Sequence, residues 1–210
     1  MARPSQDQDQ ALLAAGRELY PLLGCAGLSV RKLAEAAGVN PAMVHYHFGS
    51  KDGFLRALLQ QMYEDMFVSV SHDAAASPDP MQALQAALRG LAHFVRGHRP
   101  VVTRLWADAQ AGELVAQEFM RANAPRHLGL LMELAQAAER SGHLRRALPL
   151  QRFVFLMGSV IAPLVIAGGV KVLGVLPPAL AAGMDEQALS DAAIDQRIDW
   201  ALSALRKEAE

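Results

Sequence analysis

The sequence predicts an all-α protein: an N-terminal three-helix domain followed by a longer helical domain. Three observations carry this. Apolar residues recur at steps of three and four along most of the 210 residues, the period of a helix with one buried face. No stretch alternates apolar and polar long enough to make a half-buried strand. Helix start and stop signals recur in the first sixty residues: Ser29, Asn40-Pro41 and Ser50 as starts, Gly24, Gly38 and Gly49 as stops.

Taken in order, Met1–Gln10 is polar and reads as a flexible arm, with no apolar leader. The first helix covers Asp7 to Leu23, with Leu12, Leu13, Ala15, Leu19 and Leu23 inward. Ser29 caps a two-turn helix over Val30–Ala37. Asn40 followed by Pro41 opens a second short helix that ends at Phe48-Gly49. Ser50 caps a long helix from Lys51 to about Ser71. Ser77-Pro78-Asp79-Pro80 then breaks the chain. Further helices are expected over 81–97, 100–110, 113–141 (with a possible break at Pro125), 149–167 and 186–207. The Gly- and Pro-rich stretch 168–186 reads as a loop. We place the domain boundary at 55/56.

Composition bounds the function. The chain is 52% hydrophobic and 20% charged, as a folded protein is. One cysteine, Cys25, excludes an internal disulfide and a multi-cysteine metal centre. Cys25 reads as a small buried residue beside the first loop. The net charge of −1 excludes a uniformly basic nucleic-acid coat, but its distribution is uneven. Residues 1–56 hold six bases against five acids, and residues 57–88 four acids and no base. Residues 89–152 hold ten arginines against five acids, and residues 153–210 four bases against seven acids. A neutral protein can therefore present a local basic face. Phe153–Val170 runs 18 residues without a charge. That reaches the length of a membrane span, but its glycines and proline fit better a helix buried on several sides. We expect no membrane association.

The most informative segment is Leu28–Lys51, LSVRKLAEAAGVNPAMVHYHFGSK. Two short helices joined at Gly38 have the dimensions of a DNA-binding helix-turn-helix. Leu33, Ala34 and Ala37 can meet Val39, Val44 and Phe48, with alanines allowing close approach. From Ser29 to Lys51 the net charge is +2. Ser29, at a helix start, can aim its hydroxyl and free backbone N–H groups at a phosphate. Arg31 and Lys32 add charge at the same end. Asn40, Ala42 and Met43 begin the second helix, the end that enters the major groove. His45, Tyr46 and His47 follow; Tyr46 and His47 would hold flanking phosphates, and Lys51 would clamp another.

Residues Ala11 to Leu59 resemble the DNA-binding domain of the TetR family of bacterial transcriptional regulators. The likeness rests on Ser29-Val30-Arg31-Lys32-Leu33-Ala34-Glu35-Ala36-Ala37-Gly38-Val39-Asn40 and on Val44-His45-Tyr46-His47-Phe48-Gly49-Ser50-Lys51. Two positions depart from the family pattern. His45 stands where a tyrosine is usual, and Met43 where a small polar residue is usual. Met43 cannot make a bidentate base contact but can touch a thymine methyl.

The resemblance implies a cytoplasmic transcriptional repressor that binds a palindromic double-stranded DNA operator as a homodimer and is released by a small-molecule effector. A single reading head sees few base pairs, which a dimer on two half-sites remedies. The interface is expected on the last helix, through the stripe Leu189, Ile194, Ile198, Ala201, Leu202 and Leu205. The apolar helix before it would join through Gly158 and Ala162, giving a four-helix bundle with the mate. The resemblance further implies a pocket between the middle helices, with Met62, Met66, Phe67, Phe94, Trp106, Phe119, Met120, Met132, Phe155 and Met157 as lining residues. At this spacing such residues are also ordinary core. Arg89, Arg96, Arg99 and Arg104 admit two readings. Either they meet an anionic group on a largely apolar effector, or they pair with Glu113, Glu118, Asp65 and neighbours, the commoner arrangement. No cofactor or metal is expected. The alternative is a helical membrane-associated sensor or an enzyme. The seven histidines are scattered, and no H-E-x-x-H, G-x-S-x-G or phosphate-cradling glycine loop is present.

Overall fold

The computed structural model describes residues 4–207 and is helical throughout, apart from short connections and one antiparallel bridge. The helices are α1 Pro4–Gly27, α2 Val30–Ala37, α3 Ala42–Phe48, α4 Lys51–Ala75, α5 Pro80–Gly97, α6 Arg99–Gln110, α7 Leu114–Arg140, α8 Pro149–Leu156, α9 Ala162–Leu173, α10 Pro178–Gln187 and α11 Asp191–Ala204. A π-helical turn, Met157–Ile161, joins α8 to α9 into one rod. Packing divides the chain into two units. The first takes residues up to Asp65 together with Pro100–Ala124; the second takes Met66–Arg99 and Pro125 onward. This grouping differs from a division at residue 55: α6 and the start of α7 fall with the N-terminal helices.

The first unit is built on a core of Leu12, Tyr20, Leu28, Leu33, Val44, Phe54, Leu55 and Leu58, closed by Val115 and Ala116 from α7. α1 begins at Pro4, so most of the expected arm is helix; residues 1–3 lie outside the described residues. α1 ends in a kink, because Gly24 takes φ 66° and ψ −173°, outside helical geometry. In the second unit, α5 buries Leu84, Ala87, Leu88, Leu91 and Ala92. α11 packs on α5, α8 and the π-helical turn, and α5 packs also on α9.

That packing changes the reading of α11. Leu189, Ile194, Ile198, Ala201, Leu202 and Leu205 are all buried within this single chain. The stripe meets α5 and the α8–α9 rod and is core, not a free interface. Gly158 and Ala162, by contrast, are exposed. They lie on a stripe of the rod with Leu150, Val154 and Ile166, spaced four residues apart, and Leu150, Val154 and Ile166 are 69%, 59% and 59% exposed. The segment Pro149–Ala167 is long and apolar enough to cross a membrane by length and composition alone.

Two further expectations are corrected. Residues 168–186 are not a loop: α9 continues through Leu173, and α10 starts at Pro178. Pro178 occupies the first helical turn, where its missing N–H costs nothing. α7 runs unbroken past Pro125.

Candidate nucleic-acid interface

The turn between α2 and α3 is set by local chemistry. Ser29 caps α2, its Oγ accepting the Lys32 N–H at 3.3 Å. The hydroxyl proton remains available to donate to an anion. Gly38 closes α2 at φ 66°, its N–H returning to Ala34 and Glu35 carbonyls; a side chain would be strained there. Asn40 Oδ1 accepts the Ala42 N–H at 2.9 Å and starts α3, leaving its amide NH2 free of the helix start. Ser50 Oγ accepts the Gly53 N–H at 2.9 Å and starts α4.

These caps fix which side chains face outward. Ser29, Arg31, Lys32, Asn40, Ala42, His45 and Tyr46 are exposed, Tyr46 to 71%. They form the outer surface of α2, the turn and the start of α3. Three expected contact residues are placed differently. Met43 is half-buried and packs against the core, so part of its side chain supports the helix. His47 is half-buried, its ring edge-on to Tyr46 at 4.9 Å and tilted against Phe48. Lys51 is half-buried and donates to the Cys25 carbonyl at 2.9 Å. Its ammonium is thus partly spent on the end of α1, with two protons left for a phosphate.

The support beneath this surface comes from α6. Asp108, only 5% exposed, accepts the Cys25 N–H at 2.8 Å. One turn earlier, Arg104 reaches the Pro21 and Leu22 carbonyls, each at 3.4 Å. Together they replace the hydrogen bonds that α1 forfeits at its kink. A Cβ at Gly24 would come within 2.6 Å of an Asp108 carboxylate oxygen. Burial, with the Asp108 carboxylate beside it, pushes the Cys25 thiol up to about 12 and raises the Tyr20 hydroxyl as well. A thiol so held stays protonated and inert at neutral pH. No local sequence signal could have joined Asp108 to Cys25, since they stand 83 residues apart.

The expected pocket residues differ in burial and surroundings. Met62 and Met66 are buried, while Trp106 is 51% exposed and Phe155 40%. In the first unit Phe119 helps line an open cleft of about 410 Å³ with Arg56, Gln60, Glu118 and Asn123. In the second unit Met132 and Met157 line a small cavity beside Arg152. Phe67 lies under the Arg126 guanidinium at 4.4 Å, and Phe94 stacks on His98 at 4.2 Å. Met120 is half-buried in the first unit. Two arginines of the block, Arg89 and Arg96, are spent on ion pairs. Arg89 meets Asp195 at 2.6 Å and Arg96 meets Asp191 at 2.5 Å, while Glu118 pairs with Arg56 and Asp65 with Arg17. Ion pairing is therefore the arrangement found for Arg89 and Arg96, with acids of α11 as partners.

A capped α2, a left-handed glycine turn and an exposed α3 define a helix-turn-helix protein of the kind that docks on duplex DNA. Residues 12–58 match the bacterial regulatory proteins of the tetR family. It is 25% identical over 123 residues to the HTH-type transcriptional regulator BetI of Burkholderia lata, covering 56% of this chain and 63% of that protein. It is 28% identical over 122 residues to the HTH-type transcriptional regulator EthR of Mycolicibacterium smegmatis, covering 56% of this chain and 55% of that one. The chain thus spans less than two thirds of the length of these two relatives. The fold matches a TetR family transcription regulator from Marinobacter aquaeolei VT8 with a TM-score of 0.70, 16% identity and 97% of each chain covered.

Proposed function

We propose that this chain is a ligand-responsive transcriptional regulator that binds a palindromic operator as a homodimer and represses until a small molecule releases it. The observation that carries the reading is the exposed cluster Ser29, Arg31, Lys32, Asn40, Ala42, His45 and Tyr46 on a correctly capped helix-turn-helix. In this reading Asn40, Ala42 and the outer part of Met43 face bases, and Ser29, Arg31, Lys32, His45, Tyr46, His47 and Lys51 face phosphates. The DNA-binding role resides in residues 1–55, and ligand binding and dimerisation in 56–210.

The mate covers the outer stripe of the α8–α9 rod, Leu150, Val154, Gly158, Ala162 and Ile166, together with Trp200 of α11, which is 63% exposed. Contiguous apolar surface of this kind marks an interface, and small residues at its centre let two rods cross closely. The effector shifts the population between two spacings of the reading heads through α4, one unbroken helix. The protein acts in the cytoplasm, carries no enzymatic activity and needs no cofactor.

The test is to sequence the genomic fragments that the purified full-length protein retains and to titrate salt on the enriched site. A palindromic site is expected, with affinity falling steeply as salt rises. Enrichment of no particular sequence would overturn the reading.

A further inference from the structure

We propose that the second unit holds a binding site for a small, uncharged, largely apolar molecule with one hydrogen-bond acceptor, built around the buried Arg152; the inference rests on the regulator reading above and names the class of its ligand.

Arg152 lies on α8 and is 2% exposed. Its Nη1 donates to the Ala135 carbonyl at 3.2 Å. Its Nη2 donates to the Glu139 carboxylate and, at 3.2 Å, to the Arg145 carbonyl. Nε is the guanidinium nitrogen buried without any acceptor. Buried donors are almost always satisfied, so an orphan on a charged group calls for an explanation. Arg152 also lines a cavity, which it shares with Met132, Gln136, Phe153, Leu156 and Met157. One wholly unpartnered nitrogen and a mostly apolar wall together point to a molecule that is apolar with an acceptor for Nε.

Charge selects the acceptor. The guanidinium is already neutralised by Glu139, whose carboxyl it holds below the usual carboxylate range. A second anion would place two carboxylates on one buried guanidinium, and burial of the extra charge opposes that. A ketone, ester or ether oxygen satisfies Nε without this cost.

The cavity has a volume of only about 10 Å³, so an occupant enters by displacing side chains. Met132 and Met157 are the two walls suited to this, being unbranched and flexible. Met157 also opens the π-helical turn, and such turns recur at functional sites. The opposite side of the same rod carries Val154 and Gly158, both exposed.

The experiment is an NMR titration of the full-length protein, labelled at methionine methyls and arginine Nε, with 2-hexanone and, in parallel, hexanoate. 2-Hexanone is expected to shift the Met132 and Met157 methyls saturably and to move the Arg152 Nε–H resonance. Hexanoate should bind at least about tenfold more weakly, since its charge must be desolvated. Met132→Phe, which fills and stiffens the wall, should abolish the response while the circular dichroism keeps its helical signature. The proposal is overturned if no saturable shift appears at Met132 and Met157, if hexanoate matches the ketone, or if Met132→Phe folds normally and still responds. Specific operator binding without these shifts would remove the site and leave the regulator. The shifts without specific DNA binding would support the site and remove the regulator.

Discussion

Asp108→Ala tests how the reading head is held. The Asp108 carboxylate accepts the Cys25 N–H at 2.8 Å just past the Gly24 kink. Its removal loses a hydrogen bond to a charged acceptor, about 1.5–3 kcal/mol, and strands a buried N–H. Against this, a buried carboxylate is no longer kept from water, and Tyr20 and Cys25 lose an anionic neighbour. We expect a net loss of about 2 kcal/mol, which for a chain of this size lowers Tm by about 4–8 °C. Asp108→Asn keeps an acceptor in place and should cost about 1 kcal/mol, the value of an ordinary hydrogen bond. The assay is urea unfolding followed by circular dichroism, at one fixed protein concentration because self-association makes stability depend on it. An Ala variant within about 0.5 kcal/mol of the parent, the usual range of a surface change, would refute the argument. So would an Asn variant as damaged as the Ala one.

Lys32→Ala should lower the salt slope of DNA binding by about 0.9 with Tm unchanged, as expected for one lost phosphate contact; Lys51→Ala should lower Tm too, because Lys51 also holds the Cys25 carbonyl. Sedimentation together with urea unfolding should separate the buried face of α11 from the outer stripe of the α8–α9 rod. Ile198→Ala, in the core, should cost about 2–5 kcal/mol, whereas Val154→Asp, on the outer stripe, should yield folded monomer. The Cys25 thiol, raised from its usual value near 9 to about 12 by burial and Asp108, should resist iodoacetamide at pH 8 until the protein is unfolded. Because the folded value is the higher one, its contribution to stability is complete below pH 9 and is lost as pH rises toward 12. A Cys25→Ala variant should show a shallower alkaline decline.

Much of the first unit was legible because helix caps are local. Ser29, Gly38, Asn40 and Ser50 each act within four residues, and α2 falls over Val30–Ala37 as expected. α10 was missed because Pro177 and Pro178 look like loop residues, although a proline in the first turn is how a helix can start. The α11 stripe was read correctly as apolar, but periodicity cannot say whether the cover is the same chain or a mate. The pairing of Arg96 with Asp191 spans 95 residues and leaves no pattern in the sequence. At the reading surface, exposure could be read from helix phase for Tyr46. It could not for Met43 and Lys51, whose partners come from outside the motif.

The support that α6 gives to α1 limits how far this protein is modular. A fragment ending near residue 60 would retain every expected DNA contact. It would lose Asp108, Arg104, Val115 and Ala116, and with them the cap on the α1 kink and one wall of the first core. Grafting this reading head onto another regulator therefore means transplanting a discontinuous block, the N-terminal helices with residues 100–124. Recombination at the boundary that the sequence motif suggests would exchange specificity at the expense of folding.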